Sequence, residues 1–179
     1  MDTHRTLREP ATRADSGELH ALLSEHGAAM YRVAVSIVQD GAMAEDVVQD
    51  SIIKVWDGLD GYRGDAPVRA WILRITHNTA VSTLRKVRDE AWDPSTLPEV
   101  EAPGSVERVA AAHDQIDTLR DALADLDPLS RSILALRNME AMSYDEIADT
   151  LGITVGQVKI RLFRTRKRLA EQVKGVDHG

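Results

Sequence analysis

Arginine, lysine and base-reading side chains are concentrated in one segment near the C-terminus. Residues 155–174 contain seven basic residues and one acidic residue, a local charge of +6. A helical rotation of about 100° per residue places an apolar stripe on one side of this segment. The opposite side carries Gln157, Ile160, Arg161, Arg164, Lys167 and Arg168, with Lys159 and Phe163 on its flank. Because arginine binds phosphates and guanine edges, the pattern favours a helix that reads the major groove of DNA over a solvated basic face.

The segment that precedes this helix has the pattern of a helix-turn-helix. Ser143 is a typical helix N-cap, and Glu146, three residues later, completes a capping box. Gly152 stands where the chain needs a left-handed turn, and the small side chain of Ala148 allows two helices to cross closely. Together these features predict a helix-turn-helix over residues 143–169.

A second polar row lies within residues 68–88, which are also predicted to be helical. Arg74, Asn78, Val81 and Arg85 are spaced i, i+4, i+7 and i+11, so they share one helix face. The segment contains five basic residues and no acidic residue. Such a face fits a nucleic-acid strand, with arginines on phosphates and the Asn78 amide on a base edge.

The segment before that row carries the opposite charge. Residues 42–60 contain five acidic residues and one lysine, a local charge of −4. One interpretation is a solvated helix face. The other is a docking surface for a basic protein partner, formed by Asp46, Gln49, Asp50 and Lys54.

Apolar spacing and helix breakers predict an all-α chain of two small helical domains joined by a flexible linker. The N-terminal domain, residues 16–90, begins with one helix or two abutting helices and continues with helices over 42–59 and 68–89. The C-terminal domain, residues 107–179, contains helices over 107–126, 128–138, 143–151 and 155–173. Residues 1–15 are predicted to form a loose N-terminal arm. Residues 91–106, which contain three prolines and no basic residue, are predicted to form the acidic linker.

The composition excludes several classes of function. The 179-residue chain has a net charge of −7 and no cysteine, which excludes a disulfide scaffold, thiol catalysis and thiolate metal sites. Its six histidines form no HxxxH or HExxH pair, and no phosphate-binding loop or catalytic set is evident, so we expect neither enzyme activity nor a metal or cofactor. The N-terminus lacks a signal-peptide core, and no apolar run approaches the roughly 18 residues that cross a bilayer. These features predict a cytoplasmic protein without membrane insertion.

Two blocks of the sequence resemble a known family. The block AEDVVQDSIIKVWDGLDGYRGDAPVRAWILRITHNTAVSTLRK resembles region 2 of the extracytoplasmic-function sigma factors, the smallest members of the bacterial sigma-70 family. The block LADLDPLSRSILALRNMEAMSYDEIADTLGITVGQVKIRLFRTRKRLAE resembles region 4 of the same family. The resemblance covers about residues 22–88 and 119–173, in the order that the family has. It implies an alternative sigma factor that binds core RNA polymerase, recognises a promoter and helps to open the DNA.

The resemblance assigns binding roles to the surfaces described above. The acidic helix is expected to bind the clamp helices of the polymerase β′ subunit through Asp46, Gln49, Asp50 and Lys54. The loop at 61–66 and the helix after it are expected to capture a flipped-out base of the promoter minus-ten element, with a site formed by Tyr62, Arg63, Gly64, Asp65, Arg74, Asn78 and Arg85. The helix-turn-helix is expected to read the minus-thirty-five duplex, with a site formed by Ser143, Tyr144, Gln157, Lys159, Ile160, Arg161, Phe163, Arg164, Lys167 and Arg168. The resemblance also implies that the upper helices of region 4 meet the polymerase β flap and that an anti-sigma factor restrains the protein.

Some interpretations remain open at the level of sequence. A helix-turn-helix regulator of the response-regulator or repressor type shares the C-terminal pattern, and a sigma-related interaction protein without promoter recognition is the second alternative. Trp71 is expected in the core, and His77 is expected on a helix surface. The net negative charge is concentrated in the acidic helix and the linker, which leads to the hypothesis that the linker covers the basic faces of the free protein.

Overall fold

A computed structural model describes residues 16–91 and 120–176. Helices account for most of these residues, and no strand occurs among them. The helices are α1 (Ser16–Val38), α2 (Gly41–Leu59), α3 (Val68–Ala91), α4 (Pro128–Asn138), α5 (Tyr144–Leu151) and α6 (Val155–Val176). Residues 120–124 form a further helical turn before α4. The predicted all-α class is confirmed, and the first predicted segment is one continuous helix. The predicted arm and residues 92–106 of the predicted linker lie outside the described residues.

Local sequence signals explain where several helices begin and end. Asp40 caps α2 by accepting a hydrogen bond from the backbone nitrogen of Met43 at 2.6 Å. The predicted capping box at the start of α5 is present, with Ser143 and Glu146 each bonded to the other's backbone nitrogen. Gly152 ends α5 with a φ of 66°, a left-handed conformation that glycine adopts at the lowest cost. The turn of the predicted helix-turn-helix therefore follows from its own sequence.

Helices α1, α2 and α3 pack together as an N-terminal unit. Its centre contains the fully buried side chains of Met30, Ile37, Val47, Val55 and Ile72. Burial of each such side chain stabilises the fold by about 1.5 to 3 kcal/mol relative to an exposed position. This packing fixes α2 and α3 side by side, so that the acidic helix and the polar row belong to one rigid scaffold.

Helices α4, α5 and α6 form a C-terminal unit, which contains the helix-turn-helix. Ile133, Leu136, Ile147, Val158 and Leu162 are buried between the three helices. Thr165 extends the buried side of α6, a position that the apolar stripe in the sequence does not include. The opposite side of α6 carries the polar and basic side chains of the helix.

The two units contact each other directly. Helix α4 packs against α1, and α5 packs against α3. Buried residues of both units belong to one continuous apolar cluster. The sequence predicts two domains, but it contains no local signal that the domains share a core.

Candidate nucleic-acid interface

An open cavity lies between the end of α2 and the middle of α3. It measures about 490 Å³. The cavity is lined by Lys54, Gly58, Gly61, Tyr62, Trp71, Ile75, Asn78, Thr79 and Ser82. We call it the base cavity, because it combines aromatic walls with amide, hydroxyl and ammonium groups, as a pocket for a single extruded base requires.

Asn78 and Lys54 supply the polar groups of the base cavity. Asn78 is exposed at its rim, and its amide makes no hydrogen bond to any described residue. The Lys54 ammonium donates a hydrogen bond to the Thr79 hydroxyl at 2.9 Å. Lys54 is therefore directed towards α3, although the sequence grouped it with the exposed acidic face of α2.

Tyr62 and Trp71 form the aromatic wall. Their ring centroids lie 5.0 Å apart at an interplanar angle of 36°. The Tyr62 hydroxyl donates a hydrogen bond to the backbone oxygen of Ala66, which fixes the ring within the loop. Trp71 packs against the apolar core, as the sequence predicts, but it is only half-buried and also lines the base cavity. The apolar stripe that it shares with Val68, Ile72 and Ile75 predicts the core contact but does not show that the ring also forms a cavity wall.

The remaining predicted minus-ten residues surround this cavity without lining it. Arg63, Gly64 and Arg85 are exposed, and Gly64 has a φ of 75° that turns the loop. Asp65 and Arg74 line a separate cleft of about 140 Å³, whose far wall is formed by residues of α5. Asp65 and Arg74 therefore border this second cleft, and none of the five residues lines the base cavity.

The outer face of α6 presents the residues predicted to read a duplex. Phe163 is 70% exposed and Ile160 is 53% exposed, although both are large and apolar. Arg164 and Lys159 are also exposed and form no hydrogen bond or ion pair with the described parts of the chain. Exposed apolar and cationic side chains on one helix face suit contacts with thymine methyl groups, guanine edges and phosphates.

Three other predicted duplex-reading residues already have partners. The Gln157 side chain accepts a hydrogen bond from the backbone nitrogen of Thr154 at 2.8 Å and so caps α6. Arg161 donates to Asp127 at 3.2 Å, and Arg168 pairs with Asp125 at 3.1 Å. The two ion pairs hold α6 against the segment before α4. Each of the three side chains must exchange a protein partner in order to contact DNA.

The Asp127 carboxylate has a lowered pKa even though its partial burial opposes ionisation. Hydrogen bonds from Ser130 and the charge of Arg161 outweigh that burial. Asp127 is also the N-cap of α4. Its pairing with Arg161 therefore has a structural role as well as an electrostatic one.

A groove lies on the flank of α6, beside the start of α5. Tyr144 and Lys167 line this groove together with Phe163. The Arg137 guanidinium lies 5.0 Å from the centre of the Tyr144 ring, an arrangement that fixes the ring by a cation–π interaction. Ser143 caps α5 nearby, so its hydroxyl is already an acceptor within the fold.

The acidic face of α2 is open to solvent. Asp46, Gln49 and Asp50 are exposed, as the sequence predicts for a docking surface. Ile53 lies among them and is 57% exposed, although it is apolar. An exposed isoleucine within an acidic face is typical of a protein-binding surface and was not singled out by the sequence pattern.

His77 is not on a helix surface, contrary to the sequence expectation. It is buried between the units, and its Nδ1 lies 2.8 Å from the Ser132 hydroxyl of α4. This burial lowers the pKa of His77 to about 4. The prediction was wrong because the amphipathic pattern of α3 does not show that a second domain covers this face.

The described residues contain neither a candidate metal centre nor a candidate membrane-spanning helix. Among residues 16–91 and 120–176, no three potential ligands come together in a group that could hold a metal ion. No helix in those ranges has both the length and the apolar character needed to cross a lipid bilayer.

Comparison with known proteins agrees with the two-unit geometry. Residues 22–90 match the family model for Sigma-70 region 2, and residues 116–169 match the model for Sigma-70 region 4. The chain is 33% identical over 173 residues to the ECF RNA polymerase sigma factor SigL of Mycobacterium tuberculosis, covering 93% of this chain and 96% of that relative. The chain belongs to the extracytoplasmic-function sigma factors. The family resemblance predicted from the sequence is therefore confirmed.

Other sigma factors are similar to this chain over more than nine-tenths of their length. The chain is 30% identical over 178 residues to the RNA polymerase sigma factor CnrH of Cupriavidus metallidurans, covering 94% of this chain and 93% of the relative. The solved sigma factor RpoE of Bartonella quintana, in complex with the anti-sigma factor NepR, has a TM-score of 0.70 at 26% identity and covers 88% of this chain and 97% of its own. The structure of CnrH with the cytosolic domain of CnrY has a TM-score of 0.67 at 27% identity, covering 90% and 91%.

Membership of this family also defines the class of activity. Both matching models describe sigma regions, and the relatives are named RNA polymerase sigma factors. The protein is therefore an alternative sigma factor, a transcription initiation factor rather than a member of a catalytic family. The regulator alternative is set aside, because a region 2 match over residues 22–90 accompanies the helix-turn-helix.

Proposed function

We propose that this sigma factor recognises its promoter through two surfaces of different kinds. The outer face of α6 reads the minus-thirty-five element as intact duplex, with Ile160, Phe163 and Arg164 in the major groove. The base cavity receives one extruded base of the minus-ten element. The acidic face of α2 binds the clamp helices of the polymerase β′ subunit in the cytoplasm.

The observation that carries this proposal is the composition of the base cavity. Removing a base from the stack costs a few kcal/mol, which contacts in the receiving pocket must offset. The rings of Tyr62 and Trp71 provide surface for stacking, and stacking of a base on an aromatic side chain contributes about 1 to 3 kcal/mol. The free amide of Asn78 and the ammonium of Lys54 supply donors for the base edge.

The basic face of α3 offers contacts for the phosphates of the opened minus-ten strand. Arg74 lies one helical turn before Asn78, and Arg85 lies two turns after it. Both are exposed, so they offer positive charge for phosphates on either side of the extruded base. A base within an intact duplex stays in the stack and cannot enter a pocket, so we infer that the surface stabilises opened DNA rather than closed DNA.

Two protein partners are also part of the proposal. We infer that the exposed Asp46, Gln49, Asp50 and Ile53 surface contacts the polymerase, because it joins acidic charge to an apolar centre. The upper helices of the C-terminal unit are proposed to meet the β flap. An anti-sigma factor is proposed as a further partner, because two similar solved sigma factors are described in complexes with NepR, an anti-sigma factor, and with CnrY.

In-vitro transcription of genomic DNA tests the function directly. Core RNA polymerase is incubated with or without the protein, and the starts of all transcripts are mapped. We expect a set of starts that depends on the protein and shares two sequence elements upstream. Transcription that is identical with and without the protein would reject promoter recognition and favour the sigma-related interaction protein.

A further inference from the structure

Glu140 lies at the centre of the contact between the two units. It stands in the turn between α4 and α5, and its side chain is only 1% exposed. The next residue, Ala141, adopts a left-handed conformation with a φ of 54°, which is unfavourable for any residue other than glycine. The turn therefore holds a buried carboxylate in place, although it requires an unfavourable backbone conformation at Ala141.

Two arginines of the N-terminal unit bind this carboxylate. Arg32 of α1 donates to its two oxygens at 2.7 Å and 3.1 Å. Arg69 of α3 donates to Oε2 at 2.6 Å and to the backbone oxygen of Glu140 at 3.2 Å. We call these three residues the Glu140 cluster, and all of its bonds cross from one unit to the other.

The electrostatics of the cluster favour its charged form. Burial disfavours the Glu140 carboxylate, but the hydrogen bonds and charges of Arg32 and Arg69 hold its pKa below the ordinary value. A carboxylate buried between two arginines is stable only while both remain in place. Separation of the units must therefore break all of these bonds together and return the buried carboxylate to water, whereas both arginine side chains are already partly exposed.

The same contact places acidic side chains beside the proposed strand path. The cleft between the units is lined by Asp65 and Arg74 on one side and by Glu146 and Asp149 of α5 on the other. A phosphate that approaches Arg74 would meet two carboxylates of the C-terminal unit. The contact therefore places carboxylates beside Arg74, whereas Ile160, Phe163 and Arg164 of α6 stay exposed.

Promoter geometry also requires the two units to separate. The centres of the minus-ten and minus-thirty-five elements are about 25 base pairs apart, a distance of about 85 Å along duplex DNA. A compact unit of this size is only about 40 Å across. The two reading surfaces cannot occupy both elements while α5 remains packed on α3.

We propose that the Glu140 cluster is a latch that holds the free sigma factor in a closed state with reduced affinity for the minus-ten strand. This inference rests on the proposed function for its consequence, but the latch itself is a property of the free protein. It differs from the hypothesis that the linker shields the basic faces, because every group involved belongs to helices or to the α4–α5 turn.

Energy transfer between two dyes on the full chain tests the latch. The chain has no cysteine, so His20→Cys and Ala170→Cys place one dye on each unit at exposed positions. The test variant is Glu140→Gln, which keeps the size of the side chain but removes its charge. The matched control is Asp125→Asn, which removes an exposed ion pair with Arg168 inside the C-terminal unit.

We expect Glu140→Gln to shift the balance between closed and open molecules by about tenfold or more, because it leaves two arginines without their anion. Energy transfer should fall in this variant and stay unchanged in Asp125→Asn. Affinity for a dye-labelled random single-stranded 12-mer should rise about fivefold to tenfold, because the acidic wall leaves Arg74. Unchanged energy transfer in Glu140→Gln, or an equal fall in both variants, would overturn the latch.

Two additional measurements keep the test decisive. If circular dichroism shows that Glu140→Gln is unfolded, Arg32→Gln removes one partner only and should lower energy transfer by a smaller amount; no change there would overturn the latch. If the units open but strand affinity does not rise, the inhibitory part of the proposal is wrong. None of these readouts involves transcription, so loss of the proposed function and loss of the latch are separate results.

Discussion

The two surfaces proposed to bind DNA differ in how many of their side chains are exposed and without a protein partner. On α6, Phe163 and Arg164 project into solvent and have no partner among the described residues. On α3, Asn78 lines the base cavity, but Arg74 lines a cleft together with Glu146 and Asp149 of α5. Reading a duplex needs only side chains that reach into a groove, whereas holding an extruded base needs a cavity and a free path for its strand.

This comparison indicates an order of events. Ile160, Phe163 and Arg164 of the proposed duplex-reading face are exposed in the closed protein. The proposed strand-binding face of α3 would become fully available only after the units separate, and the proposed contact of α2 with polymerase would stabilise the separated state. The order agrees with the logic of initiation, in which a strand exists to be captured only after the duplex has been found.

Reversal of charge on the acidic face of α2, the surface proposed to bind polymerase, is the change with the largest expected effect. Asp50→Arg should weaken binding to core polymerase by about 3 kcal/mol, or about a hundredfold, because it places like charges together at the interface. Duplex binding through α6 should be unaffected, since Asp50 lies on the other unit. Titration of labelled protein with core polymerase gives the measurement.

The matched control for that surface is Glu25→Arg, an equal change of charge at an exposed position of α1. Equal losses in the two variants would show that net charge, rather than the acidic face of α2, governs polymerase binding. Undiminished binding by Asp50→Arg would rule out the proposed interface.

Truncation on α6 should have a smaller and more selective effect. Arg164→Ala should cost about 1 to 3 kcal/mol at one position of the minus-thirty-five element and relax the preference for a base there. Arg88→Ala, which removes an exposed arginine near the end of α3, is the control. Transcription from a set of upstream variants measures the effect. Identical base preferences in Arg164→Ala and the wild-type protein would reject a reading role for Arg164.

Acid should loosen the contact between the units, with an effect of about 1 to 2 kcal/mol between pH 7 and pH 5. His77 has a pKa of about 4 while it is buried against Ser132, and an ordinary value near 6.5 once exposed. The open state therefore binds the proton more strongly within that range. The contribution of His77 to closure is complete above about pH 6.5 and is lost as the pH falls towards 4.

Energy transfer between the two dyes, followed from pH 7 to pH 5, measures this loss. The pKa values of Glu140 and Glu146 at the same contact are lowered from ordinary carboxyl values, so these two groups titrate below the range. His77→Gln retains a group that can bond to Ser132 and should flatten the profile. Equal pH dependence in the two proteins would show that His77 does not couple to closure.

The sequence predicts the parts of this structure that depend on neighbours along the chain. The capping box at Ser143 and Glu146, the left-handed Gly152 and the exposed basic side of α6 all follow from residues within one or two helical turns. The same holds for the acidic face of α2. Such signals are local because hydrogen bonds at helix ends and the helical period involve only adjacent turns.

Features that arise between the units could not be predicted in this way. Glu140 lies in a turn whose sequence gives no indication of a buried carboxylate, and its partners Arg32 and Arg69 are 108 and 71 residues away. His77 appeared as a surface residue because the α3 pattern is consistent with exposure on that side. Lys54 shares a helix with acidic residues, but its long side chain reaches Thr79 on the neighbouring helix.

The central claim is that the two surfaces have different roles: α6 binds the minus-thirty-five duplex, and the base cavity binds one base of the opened minus-ten strand. The most direct test compares Asn78→Ala with Arg164→Ala on one mapped promoter, with holoenzyme assembled from core polymerase. Duplex binding is measured by footprinting of the minus-thirty-five element, and opening is measured by permanganate reactivity at the minus-ten element. Asn78→Ala should retain the upstream footprint and lose most of the reactivity, whereas Arg164→Ala should lose the footprint first. Unchanged permanganate reactivity in Asn78→Ala, or parallel loss of both signals in both variants, would contradict the division of roles.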